Sequence, residues 1–272
     1  MKLDVETYLK TIRGRPGYAM RRKVVLDFIK FLGDRDPAPV YVDAYRMHLL
    51  EKGYSECYAT TAYYMIRSFL KKMGYSFEYP DAPEPPVPRR RPELSYEDVE
   101  KMIRASGRLD RMDAALLALS TTYGMRRVEM ASLTRSNFDF RNGVLTYRPA
   151  KKRGRVVKYH LIPGEIKDVL MAYGFPRRAS IRTVSYAFHR ICRMAGVKSG
   201  RGYGWHSVRR LLDRLLLSRL PEYVVNFYVG WESRTQFAMA EYYATAGSSW
   251  MEIDRMVFEK HPFLPIWRES SV

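Results

Sequence analysis

The chain has 272 residues, enough for one large domain or two smaller ones. It is 46% hydrophobic and 28% charged, an ordinary globular mixture. Its 47 Lys and Arg against 29 Asp and Glu give +18, which points to a polyanion, with nucleic acid ahead of a membrane surface. No apolar run approaches the ~20 residues a bilayer needs. No signal-peptide pattern opens the chain, so the expectation is a soluble protein of the cytoplasm.

The first 78 residues read as four amphipathic helices. "VETYLKTI", "RRKVVLDFIKFLG", "VDAYRMHLLEKG" and "SECYATTAYYMIRSFLKKMG" carry apolar residues at three-to-four spacing, and Gly33, Gly53 and Gly74 stop three of them. Residues 79–93, "YPDAPEPPVPRRRPE", hold six prolines and read as an extended connector. Its Arg89, Arg90 and Arg91 are either a solvated charge run or a contact to a nucleic-acid backbone. Residues 94–272 form the larger domain. Ser95 with Asp98 three residues on is close to a capping box and starts a helix. "MDAALLALSTTYG" follows as a second. Then "NFDFRNGVLTYRPAKKRGRVVKYHLIP" alternates like strands, with turn signals at Asn142-Gly143 and at "KKRG". A small three-stranded antiparallel sheet is therefore expected among helices, and the chain turns helical again from Pro163. The expected class is mainly α with a small antiparallel sheet, in two domains.

The two cysteines, Cys57 and Cys192, match no metal-ligand spacing and are expected to be buried free thiols. No acidic or His cluster stands at metal spacing, so no metal and no cofactor is expected. One Gln and three Asn among many charges are a thermophile signature, against which the 14 Met count.

Five stretches bear chemistry. "TTYGMRRVEMASL" places Arg126 after a Gly, with Glu129 three residues on. "AKKRGRVV" takes Lys151, Lys152 and Arg153 into a turn. "GYGWHSVRRLL" sets His206 and Arg209 on one helical face. "FYVGWESRT" has Gly230-Trp231 behind an apolar helix, and "MAEYYATAG" has adjacent Tyr242 and Tyr243. In that order, G-x-R-x-x-E, a hairpin lysine, H-x-x-R, G-W and a C-terminal tyrosine resemble the tyrosine recombinase (integrase) family from Ser95 to about His261. The family's "TGLRxSEL" is "YGMRRVEM" here, its "HxLRH" is "HSVRR", and its "LGH" is "VGW".

The resemblance implies a helical core-binding domain ahead of the catalytic domain, and site-specific DNA recombination without metal or ATP. Two guanidiniums, Arg126 and Arg209, would hold the non-bridging phosphate oxygens. His206 would accept or relay the proton of a tyrosine whose free pKa is near ~10. Trp231 would offer its indole N–H, and Glu129 would orient the cations. A K-x-G pattern selects Lys152 over Lys151 as general acid. Tyr243, followed by Ala-Thr, fits the nucleophile's usual surroundings better than Tyr242, although both lie beyond the usual spacing from Trp231. Lys151 and Arg153, with Arg89–Arg91, would contact DNA, while Arg127 and Arg210 would face away from the site, towards the DNA backbone. Basic amphipathic helices at Tyr58–Lys72 and Thr183–Arg193 are candidates for the major groove.

The tail "SSWMEIDRMVFEKHPF" reads as an amphipathic helix with Trp250, Ile253, Met256, Val257 and Phe258 on its apolar side. It would cap its own domain or, as in the family, dock on a neighbour in a tetramer on duplex DNA that passes through a Holliday junction. The alternatives are type IB topoisomerase-like cleavage and religation, or a catalytically silent DNA-binding protein of the same fold. A nucleoid-associated location follows from the first reading, and the need for an accessory protein is left open.

Overall fold

The computed structural model describes residues 4–14, 17–79, 82–84, 92–150, 157–230 and 250–270. The chain forms two compact units, Met1–Arg90 and Arg91–Val272.

The first unit holds the four helices its pattern predicts: α1 (Val5–Ile12), α2 (Tyr18–Leu32), α3 (Pro39–Glu51) and α4 (Glu56–Lys72). Asp4 caps α1 by accepting the Thr7 N–H, Pro39 opens α3, and Ser55 caps α4. Their apolar faces meet in one core of Val24, Phe28, Val42, Tyr45, Tyr63, Ile66 and Phe69. The unit runs past the expected boundary at 78. Tyr75, Phe77, Tyr79 and Ala82 pack against the core. The Arg67 guanidinium stacks 4.2 Å from the Tyr79 ring, and Tyr64 Oη donates to Pro83 O at 2.9 Å. The start of the proline-rich stretch is thus held by aromatic and cation contacts that a proline count does not register. Cys57 is exposed, contrary to expectation, because it lies on the outer face of α4; Cys192 is buried, and burial pushes its thiol up to about 12.

The second unit is built around α6 (Arg111–Tyr123), whose residues are buried on every side from Asp113 on. Around it stand α5 (Tyr96–Arg104), α8 (Gly164–Tyr173), α9 (Ile181–Met194) and α10 (Trp205–Leu217). The short α7 (Arg127–Ser132) follows α6, and α11 (Glu222–Val229) follows α10. Ser95 and Asp98 form the expected reciprocal box at the start of α5. Three antiparallel strands, β1 (Phe138–Asp139), β2 (Val144–Tyr147) and β3 (Lys158–Leu161), lie in sequence order. Leu145 opposes His160 and Tyr147 opposes Lys158. The first turn spans Phe140–Gly143, with Asn142 N–H bonded to Asp139 Oδ1 at 3.0 Å and Gly143 at φ +67°.

The described tail, α12 (Trp250–Lys260) and α13 (Leu264–Ser270), completes this same core with Ile253, Val257, Phe263, Leu264 and Trp267. Asp254 is buried against β3, accepting from His160 Nδ1 at 2.9 Å and from Leu161 N–H at 2.6 Å. Met256, expected on the apolar side, is exposed. Of the two roles open to the tail, residues 250–270 perform the first, capping their own domain. Among the described residues no helix is long and apolar enough to cross a membrane, and no His, Cys, Asp and Glu cluster could hold a metal.

Candidate active site

Gly124 ends α6 in the left-handed conformation, at φ +59° and ψ +30°. A side chain there would meet Arg209 Cγ at 3.3 Å, so this glycine also admits α10. Two residues on, Arg126 caps α7 in extended backbone. Glu129 reaches back to it: Oε2 accepts the Arg126 N–H at 2.7 Å and Oε1 accepts Arg126 Nη1 at 2.9 Å. The same Oε1 accepts the Ala150 N–H at 3.0 Å. Glu129 therefore ties Arg126 to the foot of the β2–β3 connection, immediately before Lys151. Its side chain is 1% exposed, that of Arg126 19%.

Arg209 approaches from α10 and is buried. Nη1 donates to Gly124 O at 2.6 Å, Nη2 donates to Val229 O at 2.8 Å, and Nε stands 3.7 Å from Asp213. Burial lowers the Arg209 pKa, the Asp213 carboxylate opposes that shift, and the charge of Arg126 adds to it. Tyr147 of β2 lies in the same field. Burial and the Glu129 carboxylate push its phenol up, against Arg209 and Arg126. Arg126, Glu129 and Arg209 are thus brought together at Gly124.

His206 is exposed on the first turn of α10, three residues before buried Arg209. That turn is fixed by Trp205, whose indole N–H donates to Val184 O of α9 at 2.5 Å. The neighbouring arginines point elsewhere: Arg127 Nη1 donates to Ser185 Oγ at 3.0 Å, and Arg210 Nη2 to Pro92 O at 2.9 Å. Lys151, Lys152, Arg153, Trp231, Tyr242, Tyr243, Arg89, Arg90 and Arg91 lie outside the described residues.

Three groups at this place went unread in the sequence. Asp213 stands four residues after Arg209, a spacing that pairs charges on a helix. Tyr147 is the inward-facing end of an alternating strand. Lys158 Nζ donates to Tyr228 O, beside Arg209 on Val229 O, so two cations take consecutive carbonyls at the C-terminus of α11. Gly230 follows at φ +72°, where a side chain would meet Lys158 Nζ at 3.3 Å.

Neither a protein-family model nor a curated protein matches the chain. Solved structures do. A λ integrase(75–356) dimer bound to a COC′ core site is similar with a TM-score of 0.64 at 17% identity, over 85% of this chain and 94% of that one. A λ integrase tetramer bound to a Holliday junction gives 0.64 at 16% identity, over 85% and 77%. XerH site-specific recombinase bound to a difH substrate in a pre-cleavage complex gives 0.60 at 16% identity, over 91% and 84%. At these identities the likeness is one of fold.

Proposed function

We propose that this chain, which has the fold of the tyrosine recombinases, is itself a site-specific recombinase of double-stranded DNA. The observation that carries the reading is the meeting of Arg126 and Arg209 at Gly124, each held by a partner other than a phosphate. One N–H on each Arg209 Nη is spent on a backbone carbonyl. That fixes the guanidinium plane and leaves a second N–H on each nitrogen for non-bridging phosphate oxygens. Held in a buried site, the two charges act at low dielectric, where they stabilise a pentavalent phosphorane most.

In this reading the Tyr243 hydroxyl, or that of Tyr242, attacks phosphorus. Its proton passes to His206, the P–O5′ bond breaks, and Lys152 protonates the leaving oxygen. The products are a 3′-phosphotyrosine and a free 5′ hydroxyl. A partner strand's 5′ hydroxyl then attacks the phosphotyrosine and releases the tyrosine, and two such rounds pass through a Holliday junction. Each step exchanges one phosphoester for another, so no energy source is consumed. Trp231 would donate its indole N–H to the phosphate. Lys151, Arg153 and Arg89–Arg91 would neutralise backbone charge. The functional assembly would be a homotetramer on DNA. With the apolar side of α12 taken up in its own core, any tail contact to a neighbour would use the outer face that bears Met251, Arg255 and Met256. Such a protein works on DNA in the cytoplasm.

A covalent trap tests this. The protein is incubated with fragmented genomic DNA without metal and quenched in detergent, and the peptide that retains nucleotide is identified. Label on Tyr243, lost in Tyr243→Phe and kept in Tyr242→Phe, is the expected result. Tight binding with no adduct on any DNA would instead favour the silent DNA-binding reading.

A further inference from the structure

α10 carries two working faces. His206, Arg209 and Asp213 lie on one. Ser207, Arg210 and Arg214, at spacings of three and four, lie on the next. The second face receives the segment by which the chain enters the larger unit. Arg210 Nη2 donates to Pro92 O at 2.9 Å and to Ser207 Oγ at 3.3 Å. Arg214 Nη1 stands 3.2 Å from Glu93 Oε2, an exposed pair of small weight. Leu94 then enters the core, 1% exposed.

Gly202, just ahead of α10, closes this seat from the other side. It has φ +95°, and a side chain on it would stand 2.8 Å from Pro92 Cγ and 2.9 Å from Pro92 Cδ. Both the left-handed backbone and the rigid proline ring forbid one. The seat therefore joins a glycine that must be bare to an arginine whose Nε is buried with no acceptor among the described residues. A guanidinium placed this way bridges Pro92 O and Ser207 Oγ of its own helix, and so ties that carbonyl to α10.

We propose that Arg210 is a positioning residue, coupling the segment that joins the two units to the helix that bears His206 and Arg209. A pull on Pro92, as when the first unit engages DNA, is passed through Arg210 to α10 and shifts the guanidinium of Arg209 against Gly124 O. This rests on the recombinase reading for its catalytic consequence, though not for the anchorage itself.

The test uses the full chain with Arg210→Met, Arg210→Lys and Gly202→Ala. Two readouts need no catalysis: hydrogen exchange at the amides of Glu93–Ser95, and the NMR resonance of the Arg209 Nε–H. Two others are the rate of covalent adduct formation at saturating DNA and the affinity for that DNA. In Arg210→Met, exchange rises about tenfold or more, the Arg209 resonance moves, and the adduct rate falls about tenfold or more. Affinity stays within about threefold. Gly202→Ala does the same, and Arg210→Lys, which keeps a cationic donor, recovers much of the rate. Faster exchange at 93–95 with the Arg209 resonance unmoved overturns the coupling. Lost affinity with unchanged exchange makes Arg210 a plain phosphate contact and overturns it too. If the parent protein forms no adduct, the recombinase reading falls, and the resonance alone decides the coupling.

Discussion

Glu129 accepts the Ala150 N–H, at 3.0 Å, with the same carboxylate oxygen that holds Arg126. One buried charge thus sets both a phosphate-binding candidate and the start of the segment bearing the lysine candidates. Glu129→Ala strips three hydrogen bonds and leaves Arg126 without its counter-charge. The expected cost is on the order of 3 kcal/mol in urea unfolding. Glu129→Gln keeps an oxygen acceptor and should cost less than half as much. In the adduct assay Glu129→Gln should still lose about tenfold or more, since a neutral amide orients the guanidinium poorly. Full activity in Glu129→Gln would show that the carboxylate's charge is not used.

Gly124→Ala should be costly for two separable reasons. The left-handed backbone costs an L-residue about 1 kcal/mol. The new methyl group meets Arg209 Cγ at 3.3 Å, so Arg209 must give way. The combined expectation is a modest fall in stability and about a hundredfold fall in adduct formation. If activity falls only as far as the folded fraction does, Arg209 has tolerated the methyl group and its seat on Gly124 O is not critical.

Much of this was legible because the signals are local. The Ser95–Asp98 box, the strand alternation, the Arg126–Glu129 spacing and the His206–Arg209 spacing each sit within a turn or a strand. What stayed hidden joins distant residues. Arg209 bonds Gly124 and Val229, Glu129 bonds Ala150, and Asp254 reaches His160 across the core. No periodicity encodes such pairs. Arg67, within the basic amphipathic helix at Tyr58–Lys72, stacks on Tyr79 and helps fix the first part of the proline-rich stretch. A proline run excludes helix but says nothing of what packs on it.

Stability should fall with acid below the usual histidine range. His261 Nε2–H donates to Thr122 O at 3.0 Å, while Nδ1 accepts the N–H groups of Phe263 and Leu264, both at 3.2 Å. This ring is fully used as the neutral tautomer, and a second proton would evict two donors. Burial brings its pKa down to about 4, and burial likewise lowers that of His160. A depressed folded-state pKa contributes stability above the unfolded value near ~6.5, lost as pH falls towards ~4. For His261 the full loss is about 3 kcal/mol. The difference between urea midpoints at neutral and acid pH should be smaller in His261→Gln than in the parent protein, with the share of His160 remaining. Equal pH slopes in the two would remove His261 from this account.

The last prediction concerns how duplex DNA is held. Arg182, Tyr186, His189 and Arg193 recur along α9 at spacings of four, three and four, making one stripe. Tyr186 is 51% exposed, and Arg182 donates to its hydroxyl at 3.2 Å. Val184, Phe188 and Ile191 face the core, so this stripe must face out. If it lies along the groove, Arg182 and Arg193 neutralise phosphates and release counterions. Each substitution to Ala should then reduce the slope of log K against log salt by about one, and the pair by about two. Tyr186→Ala should leave that slope alone while weakening one DNA sequence more than another, because an apolar ring carries base contact rather than charge. A double arginine variant with the parent's slope would move the DNA to another face of the unit.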